Sequence, residues 1–342
     1  MMTSILTLGE KVVELFIMIA VGYFLSRKKI LTETGLSQIT TILLYVVSPC
    51  LTVDALVSVD DSVNLGTLLL AAAYGFLYHL LAIGISFLFY RHTPMSQRSV
   101  LRFAMVYSNT GFMGFPLVQA ILGAEGLVYA AVFVVSFNVC GWTHGYWLMS
   151  GGGKTRVRDI LLNPGVIGLA VGVVLFALKV QLPEMIAYPM ECFSALNTPL
   201  AMVVIGSYIA KVELREFFTD RHVFQVCGLR LLLIPAVYFG VLLLLNMLCP
   251  QPVMLVSCMI QAAAPVAGLT VLFAAKFNRE KELSAKCVAV STVLSVVTMP
   301  VITVLAQMAG GLLSPKGGKS IVWDAQVFPS VAGKDGTGCF IG

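Results

Sequence analysis

The chain has 342 residues, of which 58% are hydrophobic and 11% charged, and its formal net charge is +5. Soluble chains carry about 25% charged residues, so this one is predicted to lie in a bilayer rather than to fold as a water-soluble globule. It has no basic block with interleaved aromatic residues, which argues against a nucleic-acid partner. Its eight cysteines form no C-x-x-C pair, and we expect neither a metal site nor a cofactor.

Ten stretches are long and apolar enough to cross the hydrocarbon core of a membrane, which requires about 20 helical residues. In chain order they cover residues 8–27, 36–57, 65–90, 100–122, 126–149, 161–180, 186–210, 222–248, 252–276 and 284–309. The first lacks a basic leader and a cleavage motif, so we expect a retained helix and not a signal peptide. The sequence predicts an all-α membrane protein over residues 1–313 and a disordered polar tail at 314–342.

Lysine and arginine are concentrated in alternate loops between these spans. Sixteen of them lie in five loops: Arg27, Lys28, Lys29, Arg91, Arg98, Arg102, Lys154, Arg156, Arg158, Lys211, Arg215, Arg221, Lys276, Arg279, Lys281 and Lys286. The intervening loops hold almost none. The positive-inside rule places the basic loops in the cytoplasm and both termini on the other side. We therefore expect a multi-pass protein of the inner or plasma membrane.

Helix-breaking prolines recur at matched positions in the two halves. Pro49 and Pro116 lie 67 residues apart, Pro199 and Pro265 lie 66 apart, and the halves are offset by 150 or 149 residues. Such an offset places the first span on the sixth. Because five is odd, the second copy must enter the membrane from the opposite side. The sequence predicts a 5+5 inverted repeat, in which matching interrupted helices mark the binding site of a secondary transporter.

The fourth and ninth spans are predicted to break. Asn109-Thr-Gly-Phe-Met-Gly-Phe-Pro116 places two glycines and a proline inside the fourth span, and Pro265 interrupts the ninth. Backbone groups freed by a break must face protein or a water-filled cavity. Half-helices that start at Pro116 and Pro265 would present N–H groups with about +0.5 charge to an anion. Arg230, the deepest basic residue, lies about eight residues inside its span, so we expect the anion site to need no cationic side chain.

The residues at the two breaks are the candidate substrate ligands: Asn109, Thr110, Gly111, Gly114, Pro116, Gln261, Ala264, Pro265 and Gly268. Candidates for ion coupling are polar or ionisable groups within the spans: His79, His144, Asp54 and Asn138. A histidine can carry a proton near neutral pH; the alternative is a hydrogen-bonded packing residue. No carboxylates pair within the fourth or ninth span, as a sodium site would require. We expect uniport or proton-linked movement in preference to sodium symport.

Several motifs together resemble the auxin efflux carrier family. They are, in order, Asn109–Pro116, Gly123-Ala-Glu-Gly126, Asn163-Pro-Gly165, Pro199-Leu-Ala-Met-Val-Val-Ile-Gly206, Ala264-Pro265, Ser291-Thr292 and Met299-Pro300. The resemblance implies ten helices in a bile-acid-transporter-like architecture, with crossing broken helices 4 and 9. It also implies a scaffold (about 8–57 and 161–210) and a mobile transport domain (about 65–149 and 222–309).

The same resemblance implies a function. Family substrates are small organic carboxylates, namely auxin in plants and malate- or malonate-like acids in bacterial members. The short middle loop at 150–160 is typical of a compact prokaryotic-type member. We expect an elevator-like carrier of small organic anions, with a homodimer through the scaffold helices as a further expectation. A channel or receptor-like sensor on the same scaffold is the alternative.

An enzyme is not expected. An intramembrane enzyme would need a nucleophile with a base, an H-E-x-x-H motif or paired mid-span carboxylates. The sequence has none of these.

The charge asymmetry predicts that the loop around Thr155 is cytoplasmic. A Thr155→Cys variant on a cysteine-less background should therefore resist an impermeant maleimide in sealed cells and react after permeabilisation. Labelling of position 155 from outside intact cells would reverse the orientation.

Overall fold

A computed structural model describes residues 2–58, 63–153, 158, 161–210 and 220–313, with side chains from residue 13 onward. The predicted tail at 314–342 lies outside the described residues. So do four of the basic loop residues, Lys154, Arg156, Lys211 and Arg215.

The described part of the chain is helical, and no strand occurs in it. Its helices are α1 (Met2–Arg27), α2 (Glu33–Val57), α3 (Leu65–Ser86), α4 (Met95–Val106), α5 (Thr110–Ser150), α6 (Pro164–Ala177), α7 (Glu184–Ala210), α8 (Arg221–Leu248), α9 (Pro252–Ala263), α10 (Leu269–Lys276) and α11 (Lys281–Leu313). Six of these, α2, α3, α5, α7, α8 and α11, are long and apolar enough to cross a membrane. The predicted all-α membrane class is confirmed.

The helices begin and end where the sequence provides the appropriate groups. Asn64 and Thr67 form a capping box at the start of α3. The Asn163 side chain accepts from the N–H groups of Gly165 and Val166 ahead of Pro164, the first residue of α6. Within α5, Gly123 has φ 62° and ψ −150°, a conformation that glycine adopts without steric cost. The long α5 is therefore interrupted at Gly123.

Three of the described helices contain four five-residue π turns: Leu43–Val47 in α2, Thr110–Gly114 and Gly141–Gly145 in α5, and Leu229–Leu233 in α8. A π turn inserts one extra residue into the helical repeat, so the side chains around it point in new directions. Such turns concentrate at functional sites.

The apolar interior consists of one large cluster and two small ones. The large cluster joins α3, α4, α5, α8, α9, α10 and α11 with the second half of α2, and side chains of α6 pack against it. One small cluster joins α1 to α7 through Ile19 and Met202, and the other joins α2 to α7 through Leu43 and Val204. The α1–α7 contact is close, because a Cβ on Gly206 would meet backbone atoms of Ile19 and Tyr23. The α1–α7 pair thus has a packing cluster of its own, which Leu15 and Met113 connect to the large cluster.

Candidate functional site

Two helical paths are interrupted within the apolar interior. α4 ends at Val106, and an extended segment at residues 107–109 precedes α5. α9 ends at Ala263, and residues 264–268 lead to α10. Ala264 is extended (φ −61°, ψ 148°), as expected for a residue that precedes proline. The predicted breaks in the fourth and ninth spans are both present.

The two interruptions cross and pair with each other. Ser108 and Val266 form an isolated antiparallel bridge. The Asn109 N–H donates to the Pro265 carbonyl at 2.7 Å, and the Ala267 N–H donates to the Tyr107 carbonyl at 2.9 Å. We call this paired segment, residues 107–109 with 264–268, the crossing. It satisfies backbone groups that would otherwise be unpaired in an apolar interior.

The helices that leave the crossing start earlier or later than predicted. α5 begins at Thr110, behind Asn109, whose side chain accepts from the Phe112 N–H at 3.4 Å. α10 begins at Leu269, behind Gly268. The expectation that half-helices start at Pro116 and Pro265 is therefore wrong. Pro116 follows a π turn inside a continuing helix, and Pro265 belongs to the extended pair.

A cavity of about 1190 Å³ lies against the crossing. Its inner wall includes Ser108, Asn109, Thr110, Gly111 and Gly268. A Cβ added to Gly111 or to Gly268 would find no heavy atom within 4 Å, so the first residues of α5 and the cap of α10 border open space. Helix N-termini with free N–H groups attract anions.

Further polar side chains reach the cavity from other helices. Asn138 of α5, Asn163 and Asn197 all line it. Asn138 approaches α6 because Gly165 has no side chain; a Cβ there would lie 2.8 Å from the Asn138 amide nitrogen. Asn197 is 1% exposed, and its amide nitrogen has no hydrogen-bond partner among the described residues. The site is thus rich in neutral amides.

Charged side chains lie at the outer part of the cavity. Glu33, Lys276 and Glu282 line it and are exposed, and Glu282 pairs with Lys286 at 2.6 Å. Glu33 and Lys276 adjoin loops that the charge pattern assigns to the cytoplasm.

The predicted ligands separate into two groups. Asn109, Thr110, Gly111 and Gly268 line the cavity, as does Asn138, predicted as a coupling residue. The others are buried and do not line it: Gly114, Pro116, Gln261, Ala264 and Pro265. These residues lie behind the cavity wall and do not form its accessible surface.

The predicted coupling residues other than Asn138 lie away from the cavity lining. His79 is fully buried, with Nδ1 2.7 Å from the Gly75 carbonyl and 3.2 Å from the Ser136 hydroxyl. His144 Nδ1 lies 3.0 Å from the hydroxyl of Tyr107, a residue of the crossing. Asp54 accepts from the Ser58 hydroxyl at 3.2 Å near the end of α2.

Arg230 lies at the crossing, and the sequence interpretation did not include it among the site residues. It is fully buried in the π turn of α8, and its guanidinium donates to carbonyls at the crossing and at the end of α4. Arg230 thus lies beside the crossing but does not line the cavity. The sequence does contain a signal for Arg230, because an arginine inside an apolar span is a functional candidate by default.

Comparison with known proteins agrees with this geometry. The sequence matches the family described as "Membrane transport protein" twice, over residues 7–158 and 153–303. An "uncharacterized transporter" of Methanothermobacter thermautotrophicus is 25% identical over 303 residues, which cover 86% of this chain and 97% of that protein.

The chain belongs to the membrane transport protein family. The resemblance to auxin efflux carriers is thereby confirmed, and the protein is a membrane transporter.

The transporter's crossing depends on a glycine at position 114. A Cβ there would overlap the Gln261 side chain, whereas a Cβ at Gly111 would meet nothing. We expect Gly114→Ala to destabilise the purified protein by about 1–3 kcal/mol through overpacking, and Gly111→Ala to have little effect. Thermal unfolding in detergent measures both.

The same overlap predicts coupling between the two positions. Adding Gln261→Ala to Gly114→Ala should recover part of the lost stability, because the overlapping amide is removed. Equal melting temperatures for Gly114→Ala and Gly111→Ala would contradict the close contact.

Proposed function

We propose that the protein is a secondary transporter for small organic anions, mono- or dicarboxylates, which bind where the cavity meets the crossing. The observation that carries the proposal is the pair of helix N-termini, at Gly111 and Gly268, that border open space. Each offers N–H groups and about half a positive charge to a carboxylate. Asn109, Thr110 and Asn138 supply side-chain hydrogen-bonding groups along the same wall.

The inner wall is polar without being acidic. Its polar side chains next to the crossing are hydroxyls and amides. The acidic lining residues Glu33 and Glu282 are exposed and share the outer part with Lys276 and Lys286. A buried carboxylate there would repel an anion at close range. The Ser108 hydroxyl, fully buried at the cavity wall, has no partner among the described residues. An anionic ligand suits this set of donors.

The double family match supports a repeated architecture. We infer ten spans: α1, α2, α3, α4 with α5 before Gly123, α5 after Gly123, α6, α7, α8, α9 with α10, and α11. The interruptions then fall in the fourth span of each half, where an inverted 5+5 repeat brings them together. The antiparallel pairing of Ser108 with Val266 agrees with that symmetry.

We further propose that transport follows an elevator-like movement. The crossing packs within the large cluster, which is formed mainly by α3–α5 and α8–α11 and also includes the second half of α2, whereas α1, α7 and the first half of α2 form two small clusters. Phe112, next to the crossing, touches both small clusters. The first group, about residues 65–149 and 222–309, would carry the substrate past a scaffold of about 8–57 and 161–210. A homodimer formed through the scaffold helices would hold the scaffold fixed in the membrane.

Coupling is proposed to involve a proton or no ion. His144 contacts the crossing through the Tyr107 hydroxyl, which gives a titratable group a direct connection to the substrate site. No group of three or more His, Cys, Asp or Glu residues that could hold a metal ion occurs among the described residues. With Glu33 and Lys276 on the predicted cytoplasmic side, the cavity is proposed to open toward the cytoplasm of a cell's inner or plasma membrane.

The proposal is tested by ligand-induced stabilisation of the purified protein. Malonate, malate and indole-3-acetate form the acid panel, with their methyl esters and size-matched amines as controls. An acid that binds should stabilise by about 2.7 kcal/mol at 100 times its Kd. The ester should lose most of that effect, because the carboxylate is the group recognised. Equal stabilisation by acid and ester would refute the anion site, and saturable uptake in proteoliposomes distinguishes a carrier from a channel or sensor.

Asn109 provides a second test, because its side chain both caps α5 and lines the cavity. Ser and Asp also cap helices well, so Asn109→Ser and Asn109→Asp should keep the fold. Loss of one hydrogen bond to a charged ligand costs about 1.5–3 kcal/mol, so Asn109→Ser should weaken carboxylate binding about 10- to 100-fold. Asn109→Asp should abolish it by charge repulsion.

Binding assays on both folded variants decide the matter. If Asn109→Asp bound carboxylates as well as the wild type, the proposed anion site at this wall would be wrong.

A further inference from the structure

Arg230 is surrounded by backbone carbonyls. Its Nε donates to the Ala264 carbonyl at 3.1 Å, and its Nη2 donates to the carbonyls of Ala262 and Ala264 at 2.9 Å each. Its Nη1 donates to the Met105 carbonyl at 3.4 Å and to the Tyr78 hydroxyl. The side chain is 0% exposed. The guanidinium thus takes all of its observed hydrogen bonds inside the protein.

These carbonyls belong to helix ends. Met105 lies in the last turn of α4, Ala262 in the last turn of α9, and Ala264 directly after it. The final carbonyls of a helix have no partner within that helix, and its C-terminus carries about −0.5 charge. Two such ends that converge on one point form a site for a cation. Among the described residues no carboxylate pairs with Arg230, so these dipoles are its counter-charge.

A buried guanidinium needs such surroundings. Moving an unpaired charge out of water is very unfavourable, and intramembrane arginines normally pair with carboxylates or backbone carbonyls. Here the Tyr78 ring centre also lies 5.6 Å from the guanidinium carbon, within the range of a cation–π interaction. The Tyr78 hydroxyl in turn donates to the Val106 carbonyl at 3.4 Å, the last residue of α4.

We propose that Arg230 is a built-in cation that fills a carbonyl-lined site between the C-terminal ends of α4 and α9, and that it holds the crossing together without an ion from solution. The two faces of the crossing then differ in charge. The fixed guanidinium lies at the helix C-termini on one face, and the helix N-termini point toward the cavity on the other. The cation site stands on its own geometry; only its consequence for transport, independence of sodium at this position, rests on the proposed function.

The direct test replaces the fixed cation with a soluble one. In choline chloride buffer, Arg230→Ala should lower the melting temperature of the purified protein by about 5 °C or more. Millimolar methylguanidinium or sodium should restore a large part of that loss, because either cation can occupy the emptied carbonyl site. Wild type should not respond. Arg91→Ala is the matched control, since Arg91 is exposed and donates to a single carbonyl, that of Phe87.

Two further variants separate charge from packing. Arg230→Lys keeps a cation and should retain much of the stability, whereas Arg230→Met fills similar volume without charge and should lose it. This comparison tests the proposal even where Arg230→Ala fails to fold. A Met variant as stable as the wild type, or an Ala variant whose loss is unaffected by methylguanidinium and sodium alike, would overturn the proposal.

Transport gives the last readout. Radiolabelled malonate uptake into proteoliposomes should be sodium-independent for the wild type and should become sodium-stimulated in Arg230→Ala. A strict sodium requirement in the wild type would contradict a site already filled by arginine. If no carboxylate is transported, the proposed function fails, while the stability measurements still test the cation site without any substrate.

Discussion

Two breaks in apolar helices expose backbone N–H and C=O groups where no water is available to them, and the pairing of those breaks governs this structure. The Asn109 N–H bonds the Pro265 carbonyl and the Ala267 N–H bonds the Tyr107 carbonyl. An unpaired buried polar group costs about 1–3 kcal/mol, so these two hydrogen bonds stabilise both breaks. The Ser291 hydroxyl adds a third partner, because it accepts from the Val266 N–H at 3.0 Å. The position of α4, α5, α9 and α10 follows from that pairing.

The crossing also places helix C-termini on one of its sides and helix N-termini on the other. α4 and α9 end there with their carbonyls toward the buried side, where these carbonyls accept hydrogen bonds from Arg230. α5 and α10 begin there with Gly111 and Gly268 bordering the cavity. A single arrangement thus produces a cation-binding face and an anion-binding face back to back. This is why an anion site can be proposed although no lysine or arginine lines the cavity next to the crossing.

Much of this architecture is readable from the sequence, because hydrophobic length and charge bias act locally. The predicted third span, 65–90, contains α3 (Leu65–Ser86), and the Asn109-to-Pro116 and Pro265 signals located both breaks. The starts of the half-helices were misplaced because proline suggests a first turn, whereas capping by Asn109 and pairing across the crossing set the actual starts. Asn109, Thr110, Gly111 and Gly268, predicted as ligands, and Asn138, predicted as a coupling residue, all line the cavity.

Long-range contacts account for what the sequence could not reveal. Arg230 reaches Met105, which is 125 residues away, and Tyr78, which is 152 residues away. No local pattern encodes these partners. The π turn at Leu229–Leu233, which alters the direction of its side chains, is likewise absent from any periodicity argument. The contact between Gly165 and Asn138 is a further long-range contact, because the missing side chain at Gly165 matters only where Asn138 of α5 packs against it.

The central claim is that carboxylates bind at the N-termini that border the cavity, and substrate protection tests it most directly. A Cβ at Gly111 or at Gly268 would have no heavy atom within 4 Å, so a cysteine can be introduced at each position on a cysteine-less background and modified with a thiosulfonate reagent. Ala275→Cys is the control; it is exposed, lines the cavity and lies nearly two turns further along α10. The account predicts that malonate or malate slows modification at 111 and 268 but not at 275, and that the methyl esters do not. Equal modification rates at 111 and 268 with and without a carboxylate that demonstrably binds would place the substrate elsewhere and contradict the account.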